Sequence, residues 1–157
     1  MTTAAALSTD ELLAWRAFLR AHATVTRRLE AELLAEHDLP LASYDVLVQL
    51  SEAPQQALRM TELAERVLLS RSGLTRLVDR LERDGLVARR SCPSDARGTL
   101  AVLTGAGLER LRHAWPTHLR GVVEHVTGRF NADEIDQLAE LLGKLVDAEP
   151  PGESLPA

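Results

Sequence analysis

Residues 59–103 read RMTELAERVLLSRSGLTRLVDRLERDGLVARRSCPSDARGTLAVL, and this stretch decides the fold. Two short helical patterns meet at a small polar turn. The second helix is predicted from Ser70 to Asp84, with Ser70 as an N-cap that accepts a backbone N–H and Gly85 as the left-handed residue that ends it. Its apolar residues share one face and are Leu74, Leu77, Val78 and Leu81. The pattern predicts a helix-turn-helix.

A helix before the turn and a hairpin after it complete this unit. The first helix is predicted to begin with Thr61 as its cap, and residues 58–60 in front of it are predicted to form a short strand that pairs with the hairpin. The apolar stripe expected to be buried on this helix is Leu63, Ala64, Val67 and Leu68. The hairpin is predicted as strands 86–90 and 99–103 around a loop of turn-forming residues at 91–98. The expected fold class is therefore mainly α, an α+β winged helix-turn-helix with a two-stranded wing.

The solvent face of the second helix offers guanidinium and hydroxyl groups near its N-terminus. Such groups hydrogen-bond to base edges and to phosphates, and a helix of this kind can enter a major groove by its N-terminal end. The residues predicted to enter the groove are Ser70, Arg71, Ser72, Thr75 and Arg76, and those predicted to contact phosphates are Thr61 and Arg80. One surface arginine taken alone is equally well explained as a solvated side chain.

These motifs resemble the MarR family of bacterial winged-helix transcriptional regulators. The resemblance rests on residues 61–64, 70–82 and 84–87, and on residues 95–98 of the wing followed by 103–104. It implies that Arg97 reaches a minor groove while Asp95 holds its guanidinium. It further implies a homodimer that binds a pseudo-palindromic operator, acts as a repressor and is released by a small molecule.

The distribution of charge agrees with a DNA-binding lobe, although the formal net charge of the chain is −5. Residues 59–98 contain nine arginines and six acidic residues, a local charge of +3. The rest of the chain carries nine basic and seventeen acidic residues, or −8. A basic lobe on an acidic scaffold is suited to presenting one face to DNA. The acidic total also leaves open a winged helix used only as a protein-interaction module.

The segments on either side of this lobe are predicted to be amphipathic helices, whose starts are marked by the capping residues Ser8, Thr104 and Asn131. The prediction divides a single MarR-like domain, 1–157, into a DNA-binding lobe at 41–103, dimerisation helices at 8–37 and 104–148, and a flexible tail at 149–157. Pro116 predicts a kink or a break within the second helical segment. The terminal helices are expected to pair two copies of the chain, with the two recognition helices roughly 34–36 Å apart.

A candidate effector pocket is implied by the resemblance. Its ligand would be a small aromatic or phenolic compound lodged where the dimer helices meet the DNA-binding lobe. The residues proposed to line it are Trp15, Arg16, Phe18, His22 and Tyr44. Ordinary packing at the dimer seam explains the same residues equally well.

Other chemistry receives less support. Cys92 is the only cysteine, so an intrachain disulfide is excluded, but an exposed Cys92 in the wing would make a redox-responsive regulator an alternative. His113 and His118, and likewise His118 and His125, are poorly spaced for one metal ion, so no metal or cofactor is expected. No nucleophile or phosphate-binding motif accompanies these residues, and the chain is not expected to be an enzyme. Without a signal peptide or a membrane span, a cytoplasmic location is expected.

Overall fold

The computed structural model describes residues 7–146, with the side chains of residues 96 and 97 left out of that description. Helices and strands follow one another as α1 (Thr9–His37), α2 (Leu41–Glu52), β1 (Ala57–Arg59), α3 (Met60–Arg66), α4 (Arg71–Arg83), β2 (Val87–Cys92), β3 (Asp95–Leu103), α5 (Gly105–His125) and α6 (Ala132–Gly143). Short 3-10 turns lie at Pro54–Gln56 and Thr127–Arg129. The mainly helical winged-helix fold predicted from the sequence is confirmed.

Side-chain caps set the starts of the long helices. The Ser8 hydroxyl accepts the N–H of Glu11 while the Glu11 carboxylate accepts the N–H of Ser8, and the same reciprocal arrangement opens α6. Ser70 accepts the N–H of Gly73 at the start of α4. Thr104 caps α5 in the same way. These caps satisfy backbone donors that a helix leaves unpaired, which is why the sequence located these boundaries correctly.

The strands form one antiparallel sheet in the order β1-β3-β2, with Leu58 opposite Ala101 and Arg89 opposite Ala101 on the other side. Strand β1 was predicted correctly but begins and ends one residue earlier than expected. The predicted eight-residue loop at 91–98 is wrong. β2 and β3 continue to a register pair of Cys92 with Asp95, with an irregularity between Ser91 and Cys92. Residues of the predicted loop favour turns but still pair as strands, because a hairpin that projects into solvent does not require alternating apolar and polar side chains.

One core joins the winged-helix lobe, residues 41–103, to the flanking helices. The four apolar residues predicted on α4 are all buried, as are Tyr44 and Leu47 of α2. Leu33 near the end of α1 and Leu111 of α5 belong to the same cluster. The lobe is therefore packed directly against α1 and α5, and its orientation depends on both.

Two expectations for the first helix of the helix-turn-helix are wrong. Thr61 is not the N-cap, because α3 begins at Met60 and Arg59 occupies the cap position without a side-chain hydrogen bond. Leu68 is not buried but is 90% exposed. Its backbone is left-handed, with φ of 55°, so the chain turns sharply and Leu69 packs against the core in its place.

The C-terminal helices also differ from expectation. α5 continues through Pro116, so the predicted break does not occur. Pro116 is exposed, and water can hydrogen-bond the carbonyl that a proline leaves unpaired. α6 ends at Gly143, which leaves Leu145 beyond the helix, and the tail predicted at 149–157 lies outside the described residues. Within residues 7–146 no helix has both the length and the apolar content that a membrane crossing requires.

The contact between α5 and the start of the wing makes a testable prediction about two glycines. A Cβ at Gly107 would overlap the carbonyl oxygen of Leu86 and lie 2.7 Å from Leu103 Cδ1, whereas a Cβ at Gly105 meets nothing within 4 Å. Gly107→Ala should lower the free energy of unfolding by about 1–3 kcal/mol. Gly105→Ala should be neutral or raise it by up to about 1 kcal/mol. Urea denaturation of the two variants measures this difference, and equal stabilities would contradict the packing described.

Candidate nucleic-acid interface

The helix α4 has one buried apolar face and one exposed polar face. All of the residues predicted to enter the groove are exposed, and so is Arg80; they are Ser70, Arg71, Ser72, Thr75 and Arg76. The Thr75 hydroxyl donates to the carbonyl of Arg71 at 2.8 Å, which holds that side chain against the helix. Among residues 7–146, the guanidinium groups of Arg71, Arg76 and Arg80 form no ion pair with a carboxylate, so their charges face solvent. The structure thus brings the predicted groove residues together on one surface.

Thr61 lies on a different element from those residues. It is exposed in the first turn of α3, and its hydroxyl does not cap that helix. A hydroxyl in this position can still contact a phosphate that runs past the start of α3. Its predicted contact with DNA stays a prediction.

Arg89 is a residue of this surface that the sequence reasoning missed. Its guanidinium lies 2.7 Å from an Asp79 carboxylate oxygen and 2.6 Å from one of Glu82, and it donates to the carbonyl of Thr75 at 3.3 Å. The backbone N–H of Arg89 also donates to Glu82, at 3.1 Å. Partial desolvation opposes the charge of Arg89, but the hydrogen bonds that its guanidinium donates to the two carboxylates outweigh this effect and raise the pKa of Arg89 above its usual value.

This network does two things at once. It fastens β2 of the wing to α4, and it neutralises the two acidic groups that α4 would otherwise present beside its arginines. The signal in the sequence was an acidic pair three residues apart on α4, followed after a tight turn by an arginine on the next strand. Pairing that arginine with both acids required the angle between helix and strand, which the sequence does not show.

The end of the wing is organised around Arg59 of β1. Its guanidinium donates to the Ser94 hydroxyl at 3.1 Å and lies 3.5 Å from an Asp95 carboxylate oxygen. Asp95, predicted to hold Arg97, therefore contacts Arg59. The side chain of Arg97 lies outside the described residues, and its predicted contacts with Asp95 and with a minor groove stay predictions.

The redox-responsive alternative requires an exposed Cys92, and the structure buries this residue. The residue is only 8% exposed because it lies at the base of the tight turn, and its sulfur is 3.3 Å from the Ser94 hydroxyl. Hydrogen bonding to Ser94 lowers the pKa of Cys92 more than desolvation raises it, and the nearby charge of Arg59 lowers it further. The alternative of a redox-responsive regulator thus loses the exposure on which it depended.

The residues predicted to line an effector pocket do not meet within one chain. Trp15 and Phe18 stack on each other with ring centroids 6.1 Å apart on the exposed face of α1, where Arg16 and His22 are also exposed. Tyr44 is buried instead and packs against the rings of Trp115 and His118. α1 approaches α2 at Glu30, about 22 Å along the helix from Trp15. Within one chain these residues therefore do not form a shared pocket.

A cleft does lie between α1 and α2, at residues the sequence reasoning did not select. It has a volume of about 380 Å³ and is lined by Thr26, Arg27, Glu30, Leu41, Ala42 and Asp45. Glu30 accepts the backbone N–H of Leu41 at 2.5 Å and so caps α2, which has no cap of its own. Partial desolvation, with the adjacent charge of Glu30, raises the pKa of Asp45 to about 6.

Comparisons with known proteins agree with this geometry. The model of the MarR family matches residues 37–98. The chain is 32% identical over 131 residues to YkoM, an uncharacterized HTH-type transcriptional regulator of Bacillus subtilis, and the match covers 83% of this chain and 82% of YkoM. It is 32% identical over 113 residues to YetL, an HTH-type transcriptional repressor of the same organism, with coverage of 72% and 67%. Among solved structures, Sco3205, a MarR family transcriptional regulator from Streptomyces coelicolor in complex with DNA, superposes with a TM-score of 0.86 at 36% identity over 92% of this chain and 91% of that one.

The contacts of Arg89 predict a specific loss of stability. Arg89→Met would leave the Asp79 and Glu82 carboxylates without their shared partner and should lower the free energy of unfolding by about 1–3 kcal/mol. The matched control is Arg112→Met, which removes the same charge from an exposed i,i+3 pair with Glu109 and should change stability by less than about 0.5 kcal/mol. Urea denaturation measures both, and indistinguishable effects would show that Arg89 does not hold the wing to α4.

Proposed function

Because the chain belongs to the MarR family of transcriptional regulators, we propose that it binds duplex DNA through its winged helix and represses the genes whose operator it occupies. The observation that carries the proposal is the surface of α4, where the guanidinium groups of Arg71, Arg76 and Arg80 are exposed and pair with no carboxylate of the described part of the chain. The buried face of the same helix fixes the direction in which those groups point. The DNA complex of Sco3205 and the repressor YetL support it by similarity.

The proposal assigns a different task to each group of residues on this surface. Ser70, Arg71, Ser72, Thr75 and Arg76 enter the major groove, where arginine forks can pair with guanine edges and hydroxyls with bases or phosphates. Thr61 and Arg80 contact phosphates, which position the protein without reading sequence. Arg97 enters the minor groove beside Asp95. Arg89 keeps the carboxylates of Asp79 and Glu82 neutralised, so they do not repel the phosphate backbone.

We further propose that the protein is a homodimer assembled through its terminal helices. Large apolar side chains are exposed along the terminal helices, and exposed apolar surface of this kind marks an interaction surface. They are Leu13, Trp15, Phe18 and Leu19 on α1, Leu119 and Val123 on α5, Phe130 before α6, and Leu141 and Leu142 on α6. A two-fold dimer would place the recognition helices roughly 34–36 Å apart and would match a pseudo-palindromic operator.

Release by a small-molecule effector is the last part of the proposal. The cleft between α1 and α2 lies where the proposed dimer helix α1 joins the DNA-binding lobe, so a ligand there would alter the spacing of the two lobes. A compound qualifies as an effector only if it binds the dimer and also lowers operator affinity. The surface is suited to binding rather than to catalysis, and we propose no enzymatic activity.

The groove assignments predict two distinct effects on DNA affinity. The operator is first selected from random duplexes. Arg76→Ala should then reduce the binding preference for this operator over a scrambled duplex by about 1–3 kcal/mol. Arg97→Ala should weaken binding to both duplexes. Arg112→Ala, an exposed arginine on α5, is the control and should bind as the wild type does. Gel-shift titration measures these affinities, and equal operator affinity for all four proteins would refute the assignments.

The same titration separates this function from the protein-interaction alternative. Binding that neutralises several phosphates must weaken steeply as salt rises. A winged helix used only to bind protein would show no measurable affinity for duplex DNA even at low salt.

The dimer proposal predicts that charge on the terminal helices separates the subunits. Leu19→Glu combined with Leu141→Glu should convert a dimer into a monomer, because two carboxylates would have to be buried at the interface. Leu68→Glu, on an exposed leucine of the DNA-binding lobe, should remain dimeric. Sedimentation velocity distinguishes the two states. A monomeric wild type, or a double variant that stays dimeric, would contradict the proposal.

A further inference from the structure

Three side chains with metal-binding groups meet at the far end of α5, away from the wing. Glu32 projects from α1, and Glu124 and His125 are the last two residues of α5. An Oε1 oxygen of Glu32 lies 2.5 Å from Nε2 of His125. One possible ligand atom from each of the three residues lies within 4.8 Å of the other two.

The surroundings hold two of these groups in place. The His125 side chain is 7% exposed, so its imidazole is fixed by packing. One turn earlier on α5, Gly121 leaves room for the acidic group, because a Cβ there would lie 2.5 Å from Glu32 Oε2. A glycine in the middle of a helix costs stability, and here it allows a carboxylate to lie against the helix backbone.

Two polar atoms of this cluster are buried and unsatisfied. Glu32 Oε2 and His125 Nδ1 have no hydrogen-bond partner among the residues that the structure describes. Buried polar atoms are nearly always paired, and an unpaired carboxylate oxygen marks the place of a bound water or ion. The hydrogen bond to His125 uses Oε1 of Glu32, so it does not satisfy Oε2.

We propose that Glu32, Glu124 and His125 bind a divalent first-row transition metal ion, with Zn²⁺ as the representative. Such an ion takes imidazole nitrogen and carboxylate oxygen ligands at about 2.0–2.2 Å, and sets of three protein ligands leave a position for water. Atoms that share one tetrahedral ion at these distances lie roughly 3.3–3.5 Å apart, and one possible ligand atom of each residue here lies within 4.8 Å of the other two. Two carboxylates balance the charge of the ion, and the imidazole favours it over Mg²⁺ or Ca²⁺.

The metal would tie α1 to the C-terminal end of α5. The spacing of the histidines alone does not reveal this site, because Glu32 is 93 residues from His125 along the chain. The proposal is independent of DNA binding, since its readout is the metal itself.

The test uses the full untagged chain after removal of metals with a chelator. Calorimetric titration with Zn²⁺ and visible absorption with Co²⁺ should both give one ion per chain, and excess Mg²⁺ should not displace it. Glu124→Gln and His125→Gln should each weaken Zn²⁺ binding by about 10- to 100-fold. The matched control is His113→Gln, because His113 is an exposed histidine of the same helix and its loss should leave Zn²⁺ affinity unchanged.

The outcomes decide the proposal in either direction. Glu124 is exposed, so Glu124→Gln should fold normally and is decisive even if His125→Gln does not fold. Absence of saturable Zn²⁺ binding to the wild type, or unchanged affinity in Glu124→Gln, would overturn the proposal and leave an ordinary Glu32–His125 hydrogen bond. Loss of binding in His113→Gln would overturn it too, because the ion would then be held elsewhere.

Discussion

The burial of one face of α4 is the interaction on which the rest of this protein depends. Leu74, Leu77, Val78 and Leu81 are almost completely excluded from solvent, and each contributes roughly 1.5–3 kcal/mol when buried. A helix held by one apolar face cannot rotate about its axis without exposing that face. The arginines and hydroxyls opposite therefore point outward in a fixed direction. Rigid presentation of this kind is what recognition of base edges requires.

The second constraint is electrostatic. The chain is acidic overall, and α4 itself carries Asp79 and Glu82 among its arginines. Arg89 resolves this conflict by pairing with both acids from the neighbouring strand, which leaves the charges of the outward arginines unopposed. The same pairing makes the position of the wing depend on α4. The two elements that are proposed to reach adjacent grooves thus behave as one rigid unit.

α1 and α5 connect this unit to the remainder of the molecule. Their facing sides pack into the core through Leu33 and Leu111, while other sides leave large apolar residues in solvent. Ion pairs and hydrogen bonds reinforce the contact, including those of Glu36 with Thr117 and Arg120 and that of Glu32 with His125. A change at the junction of these helices would be transmitted to the orientation of the DNA-binding lobe, because the two share a continuous packed core.

The amino-acid sequence by itself determined the features that depend on local chemistry. The capping residues placed the starts of α1, α4, α5 and α6, the apolar spacing identified the buried face of α4, and the motifs from Thr61 to Thr104 indicated the family. Tertiary structure alone decided the exposure of Leu68, the burial of Cys92, the length of the wing strands, the pairing of Arg89 with two acids and the meeting of Glu32 with His125. Each of these features depends on how elements that are distant in the chain approach one another. The physical reason is that a contact contributes free energy only when folding has brought its two partners within a few ångströms.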